Sequence, residues 1–151
     1  MPPATFRFRL ERVRALHERN EQHARRELAR AIGELSESED ALRETNSELA
    51  RAQEVHRTAG AGGTLSGADM RASQAFLERI ETKRAIGTQA VHRSAGEVAD
   101  RGEDFSRAAQ KHKMLERLKE RRRGEHMREV ARREGQMLDE IALDRFRRRA
   151  A

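Results

Sequence analysis

The chain has 151 residues, of which 38% are charged, 36% hydrophobic and 3% aromatic, with a net charge of +6, two prolines and no cysteine, tryptophan or tyrosine. That apolar mass is too small for a globular core of this length, whereas the seam of a two-helix coil needs only about two positions in seven. The lack of cysteine excludes disulfides, thiol catalysis and thiolate metal sites, and no stretch approaches the ~18 uninterrupted apolar residues of a membrane span.

Positive charge gathers towards both ends. Residues 1–30 carry 8 basic and 4 acidic side chains, residues 31–64 carry 3 and 7, residues 65–100 carry 5 and 5, and residues 101–151 carry 16 and 10. A chain that folds back near its middle would bring the two basic stretches together and leave the acidic one at the turn. The folded chain would then be electrically polar, basic at the end holding the termini.

In chain order, Met1 to Thr5 are expected to fray, with Thr5 as the available cap of a first helix over about 5–58. Leu10, Val13, His17, Asn20 and Ala24 recur at spacings of three and four. After one extra four-residue step, a stutter, Leu28, Leu35, Leu42 and Leu49 continue as a heptad. The cluster Gly60-Ala61-Gly62-Gly63-Thr64-Leu65-Ser66-Gly67 then predicts a turn over about 59–66, because glycine reaches positive φ without a Cβ penalty. Ser66 with Asp69 three residues on forms a box-like N-cap for a second helix over about 67–148.

That helix carries its own seam through Met70, Ser73, Leu77, Ile80, Arg84, Gly87, Val91, Ser94, Val98, Arg101, Phe105, Ala108, His112 and Leu115. Folding at Gly63 matches Leu49 with Leu77, Leu35 with Val91 and Leu28 with Val98, and sets Leu42 against Arg84 and His56 against Met70. The expected fold is all-α: one elongated unit over 1–151, a long antiparallel two-helix coiled-coil hairpin. Its second helix has no partner beyond about residue 121 and overhangs. The overhang carries Met127, Val130, Met137, Ile141 and Phe146, with Leu138 and Leu143 beside them, an apolar stripe that calls for a partner. Gly124 and Gly135 weaken it as a free helix, which suits a segment ordered fully on docking.

No catalytic signature is present: there is no phosphate-cradling glycine-lysine loop, no histidine-glutamate zinc motif and no glycine-flanked nucleophilic serine. A two-stranded coil offers no cavity that excludes water, so no enzymatic activity, small-molecule substrate, metal or cofactor is expected. The register brings His17 and His112 within about one turn, where a pair could bind metal, although such histidines are more often tolerated seam residues.

Three segments carry a resemblance: Phe8-Arg9-Leu10-Glu11-Arg12-Val13, Ala24-Arg25-Arg26-Glu27-Leu28-Ala29-Arg30-Ala31, and Met137-Leu138-Asp139-Glu140-Ile141-Ala142 with Arg145-Phe146. Together with the hairpin plan and the basic tail, they resemble the flagellar export protein family FliJ along the whole chain. The resemblance implies a stalk-like, non-enzymatic component of the bacterial flagellar type III export apparatus, serving motility. Its implied partners are the export ATPase ring, the stator-like regulator of that ATPase, the cytoplasmic region of the membrane export gate and the export chaperones. It implies a cytoplasmic location, peripheral at the inner membrane through those partners alone. Carried onto this sequence, Phe6, Phe8, Leu10, Arg12, Val13, Leu138, Ile141, Arg145 and Phe146 would meet the ATPase ring, and Leu42, Leu49, Phe76 and Ile80 would meet the gate. Phe76 is the sole aromatic residue near the turn, a departure from the aromatic tip common in the family.

Two alternatives stay open at this level. Injectisome stalks of the same type share the periodicity. A basic coiled coil could bind nucleic acid, although acidic residues alternate with most of the arginines and no aromatic stacking platform or helix-turn-helix order is seen. The sequence also leaves open whether the free protein is a monomeric hairpin or a parallel dimer with a kinked glycine joint.

Overall fold

The computed structural model describes residues 5–63 and 66–150. The expected fraying of residues 1–4, and Thr64 and Leu65 of the turn, lie outside them. Helix α1 runs Glu11–Ala61 and helix α2 runs Gly67–Ala150, and the described residues contain no strand. The fold is the expected all-α helical hairpin.

The turn forms for local reasons. The Gly62 amide donates to the Thr58 carbonyl at 3.1 Å and ends α1, and Gly63 takes φ +62°, which its missing side chain permits. The Asp69 amide donates to Ser66 Oγ at 3.2 Å while the Ser66 amide donates back to Asp69 Oδ2 at 3.2 Å. This is a capping box with aspartate in the role usually held by glutamate, and the carboxylate also meets the positive end of the helix dipole.

The start of α1 differs from expectation. Residues 5–8 are not helical, the Glu11 amide donates to the Phe8 carbonyl at 3.1 Å, and the first helical bond runs from the Arg14 amide to the Leu10 carbonyl at 2.8 Å. Phe6 and Phe8 are half-buried while Arg7 and Arg9 are exposed. That alternation has a period of two, which suits extended backbone; a helix would turn Phe6 and Phe8 well apart. The helix therefore begins at Glu11 and not at Thr5.

Contacts divide the described chain into two compact units. One comprises residues 23–106 and the other residues up to 22 together with those from 107 onwards. In the first, the cross-helix contacts lie three to six residues further along α2 than the expected register. Gly87, not Arg84, faces Leu42, and a Cβ built on Gly87 would lie 3.3 Å from Leu42 Cδ1. His56 Nδ1 meets Ser73 Oγ at 2.7 Å, and Met70 packs instead beside Gly60. The physical reason is that α1 continues through Ala61, so the fold point moves towards α2. Ser38 and Ser94 share a hydrogen bond of 3.2 Å across the pair, and Lys83 donates to Glu48 at 3.0 Å on its rim.

Ala31, Thr45, Leu49 and Ile80 are buried, all in this unit. Thr45 satisfies its hydroxyl by donating to the Ala41 carbonyl at 2.9 Å. In the other unit the extended N-terminal segment lies against α2, with the Phe6 ring 5.7 Å from that of His126. Extended chain advances about 3.3 Å per residue against 1.5 Å in a helix, so these few residues carry the pairing past the expected limit near residue 121.

Candidate partner-binding surfaces

The unit that holds both chain ends is organised by charge across two helices. Arg14, its side chain only 16% exposed, donates to Glu11 at 2.7 Å, to Glu18 at 3.3 Å and to Glu116 of α2 at 2.6 Å. Lys119 reaches Glu11 from α2 at 3.0 Å. His112 lies between Glu21, at its Nδ1, and Glu116, 3.3 Å from its Nε2. His17 lines a groove beside Val13. Among the described residues no group of three or more histidine and acidic side chains could hold a metal ion.

Hydrogen bonds from Arg14 first, and then from Lys119, hold the Glu11 carboxyl down at about 2, against its ordinary 4.5. Arg14 likewise holds Glu116 below the usual carboxylate range. A carboxylate depressed in the folded state stabilises the fold fully above its unfolded value, and the contribution is lost as pH falls through the folded value. The start of α1 is therefore expected to stay paired from neutral pH to about 4.5 and to loosen only between there and about 2. Carbon-detected titration of Glu11 by NMR checks this: a midpoint near 2 is expected in the native chain, returning towards 4.5 in Arg14→Gln. An unchanged midpoint in the variant would remove Arg14 as the cause.

Residues 141–150 of α2 are all exposed. Met137, Leu138, Ile141, Leu143 and Phe146 are all exposed, from 44% at Ile141 to 71% at Phe146. Their directions differ from a simple stripe. At 3.6 residues per turn, Met137 and Leu138 lie within about 60° of Ile141, while Phe146 lies about 140° and Leu143 about 200° round the helix from it. Apolar side chains thus surround the last turns on several sides. Arg145, Arg147, Arg148 and Arg149 follow, and the last three fall in the final turn, where cations complement the helix dipole.

The other residues singled out in the sequence fall into distinct settings. Phe6 and Phe8 are half-buried in the extended segment, Arg12 is exposed on α1, and Leu10 and Val13 are exposed at 38% and 41%. These lie in the same unit as Leu138, Ile141, Arg145 and Phe146. In the unit with the turn, Phe76 is 43% exposed with the Arg79 guanidinium 5.9 Å from its ring. Leu42 is half-buried on Gly87, and Leu49 and Ile80 are buried. Val55, exposed beside Phe76 along a shallow groove, escapes the periodicity because it lies off the seam.

A scan against family models matches the chain over residues 6–151 to the family described as flagellar FliJ protein. The chain belongs to the FliJ family. As a FliJ family protein it is a component of the flagellar protein export apparatus, and its helical hairpin is the coiled coil expected of that role. No curated protein and no solved structure matches it. Among the described residues, no helix of this FliJ family chain is long and apolar enough to cross a membrane.

Proposed function

We propose that this chain is a non-enzymatic stalk of the flagellar export apparatus, with the unit that holds both chain ends seated in the export ATPase ring. The observation that carries this reading is the distribution of exposed apolar residues on the last turns of α2. Ile141, Leu143 and Phe146 point in different directions round the helix, and a single flat partner would cover only one of them. An enclosing lumen covers all three. Leu138, Ile141 and Phe146 act as anchors, with Phe6, Phe8, Leu10 and Val13 adding apolar surface from the N-terminal segment. Arg12 and Arg145 supply charge complementarity, which raises the association rate more than the affinity. An asymmetric stalk contacts the subunits of a symmetric ring unequally, so any preference among nucleotide states links its binding to turnover.

The unit with the turn couples to the cytoplasmic region of the export gate. Phe76 and the accessible edge of Leu42 make the direct contact, and the buried Leu49 and Ile80 hold the helix pair that presents them. The stator-like regulator and the export chaperones complete the partners, and the chain is held at the cytoplasmic face of the membrane through them.

The experiment is a titration of the purified export ATPase with this chain. Hydrolysis is expected to accelerate and saturate with the native chain, and to remain at the basal rate with Ile141→Glu combined with Phe146→Glu. Both positions are exposed, so circular dichroism should show unchanged helix content. Full stimulation by the variant would overturn the placement.

A further inference from the structure

Beside the charge network of the same unit lies a groove of about 670 Å³, open to solvent and lined by Val13, His17, Lys111, Met114, Leu115, Arg117, Leu118 and Arg121. Its floor is apolar. Met114 is 68% exposed and Val13 41%, with Leu115 and Leu118 half-buried behind them. Its rim is cationic, and no acidic residue lines it. Arg14 and Lys119 nearby are engaged by Glu11 and Glu116. Lys111 and Arg117, by contrast, have no acidic partner among the described residues, and Arg121 approaches Glu125 only at 3.9 Å.

We propose that this groove is a docking site for an amphipathic helix of a partner protein, one whose apolar stripe is flanked by aspartate and glutamate. Three features select that occupant. The α2 residues of the groove span 111–121, about 15 Å at 1.5 Å per residue, which matches roughly three turns of a helix anchored at i, i+4 and i+7. The floor buries apolar side chains, which a phosphate backbone cannot offer. The surface is concave between two helices, so a flat bilayer cannot reach Leu115 and Leu118. The rim cations then pair with the flanking carboxylates, which fixes orientation and disfavours basic helices. The groove shares Val13 with the surface proposed to seat in a ring, but its cations and Met114 play no part in that seating, so variants at those positions test the groove separately.

The probe is a fluorescent helical peptide of about 18 residues with leucines at three- and four-residue spacing flanked by glutamates, compared with the same peptide carrying lysines. Anisotropy with the full chain at ~0.1 M salt should show the acidic peptide binding at least about tenfold tighter than the basic one. Met114→Asp, and separately Lys111→Glu with Arg117→Glu, should each weaken the acidic peptide about tenfold or more, and the double reversal should improve the basic peptide. These positions are solvent-facing, and unchanged helix content verifies the fold. Equal binding of the two peptides, or acidic-peptide binding unaffected by Met114→Asp, overturns the proposal. So does duplex DNA or a phosphatidylglycerol vesicle that binds through Lys111 and Arg117 and is not displaced by the acidic peptide.

Discussion

Replacing Ile80 by aspartate is expected to unfold the helix pair around the turn, the largest single-residue effect in the molecule. Ile80 is 3% exposed, and only Ala31, Thr45 and Leu49 are comparably buried among the described residues. With so few buried positions, each carries a large share of the pairing. Truncating a buried isoleucine costs about 2–5 kcal/mol, and an unpaired carboxylate at the same position adds a desolvation penalty of several more. Against a total stability of about 5–15 kcal/mol, that is enough to separate the helices. The nearby Glu48–Lys83 pair cannot compensate, since it is already formed and exposed. Thermal melts by circular dichroism should show the transition lost or shifted by tens of degrees, with Ile80→Val costing only about 1 kcal/mol. A melt of Ile80→Asp close to that of the native chain would mean the seam is not what holds the helices together. For function, the consequence is practical: gate docking has to be tested at Phe76 or Val55, because changes at Leu49 or Ile80 act first on folding.

Converting Gly33, Gly96, Gly102, Gly124 and Gly135 together to alanine is expected to produce the largest gain. A Cβ at each of them meets nothing within 4 Å, and all five lie inside helices. Alanine at such sites gains about 0.5–1 kcal/mol each by narrowing the unfolded ensemble, and well-separated sites add, giving about 2.5–5 kcal/mol in all. Gly63 and Gly87 are excluded for cause: the first needs φ +62°, and the second leaves only 3.3 Å to Leu42 Cδ1. Denaturant titration should move the midpoint upward with the slope unchanged. No increase would show that the helices are already limited by their pairing and not by backbone entropy. The Gly124→Ala and Gly135→Ala pair alone should also tighten association with the export ATPase, since a stiffer overhang loses less entropy on docking.

Local chemistry determined by itself most of what could be read from the linear chain. The glycine turn, the Ser66–Asp69 box and the two helices all arise from interactions between residues one to four apart, which leave their imprint in spacing and residue type. Family membership was legible for the same reason, in motifs that recur at helical period. Three features needed the third dimension. The register depends on where α1 stops; its extension through Ala61 moved Leu42 from Arg84 to Gly87 and His56 from Met70 to Ser73. The extended course of Phe6 to Phe8 escapes the linear chain because Thr5 offers a plausible cap, and only the packing of both phenylalanines shows that the helix starts later, at Glu11. The groove of Val13, Met114 and Leu118 and the cluster of Arg14, Glu116 and His112 join residues roughly a hundred positions apart. Fold-back arithmetic brings such residues near the same layer, but it does not say which side chains meet. Their proximity is a product of the register, and the register is settled by cross-helix packing and charge pairing along the whole seam.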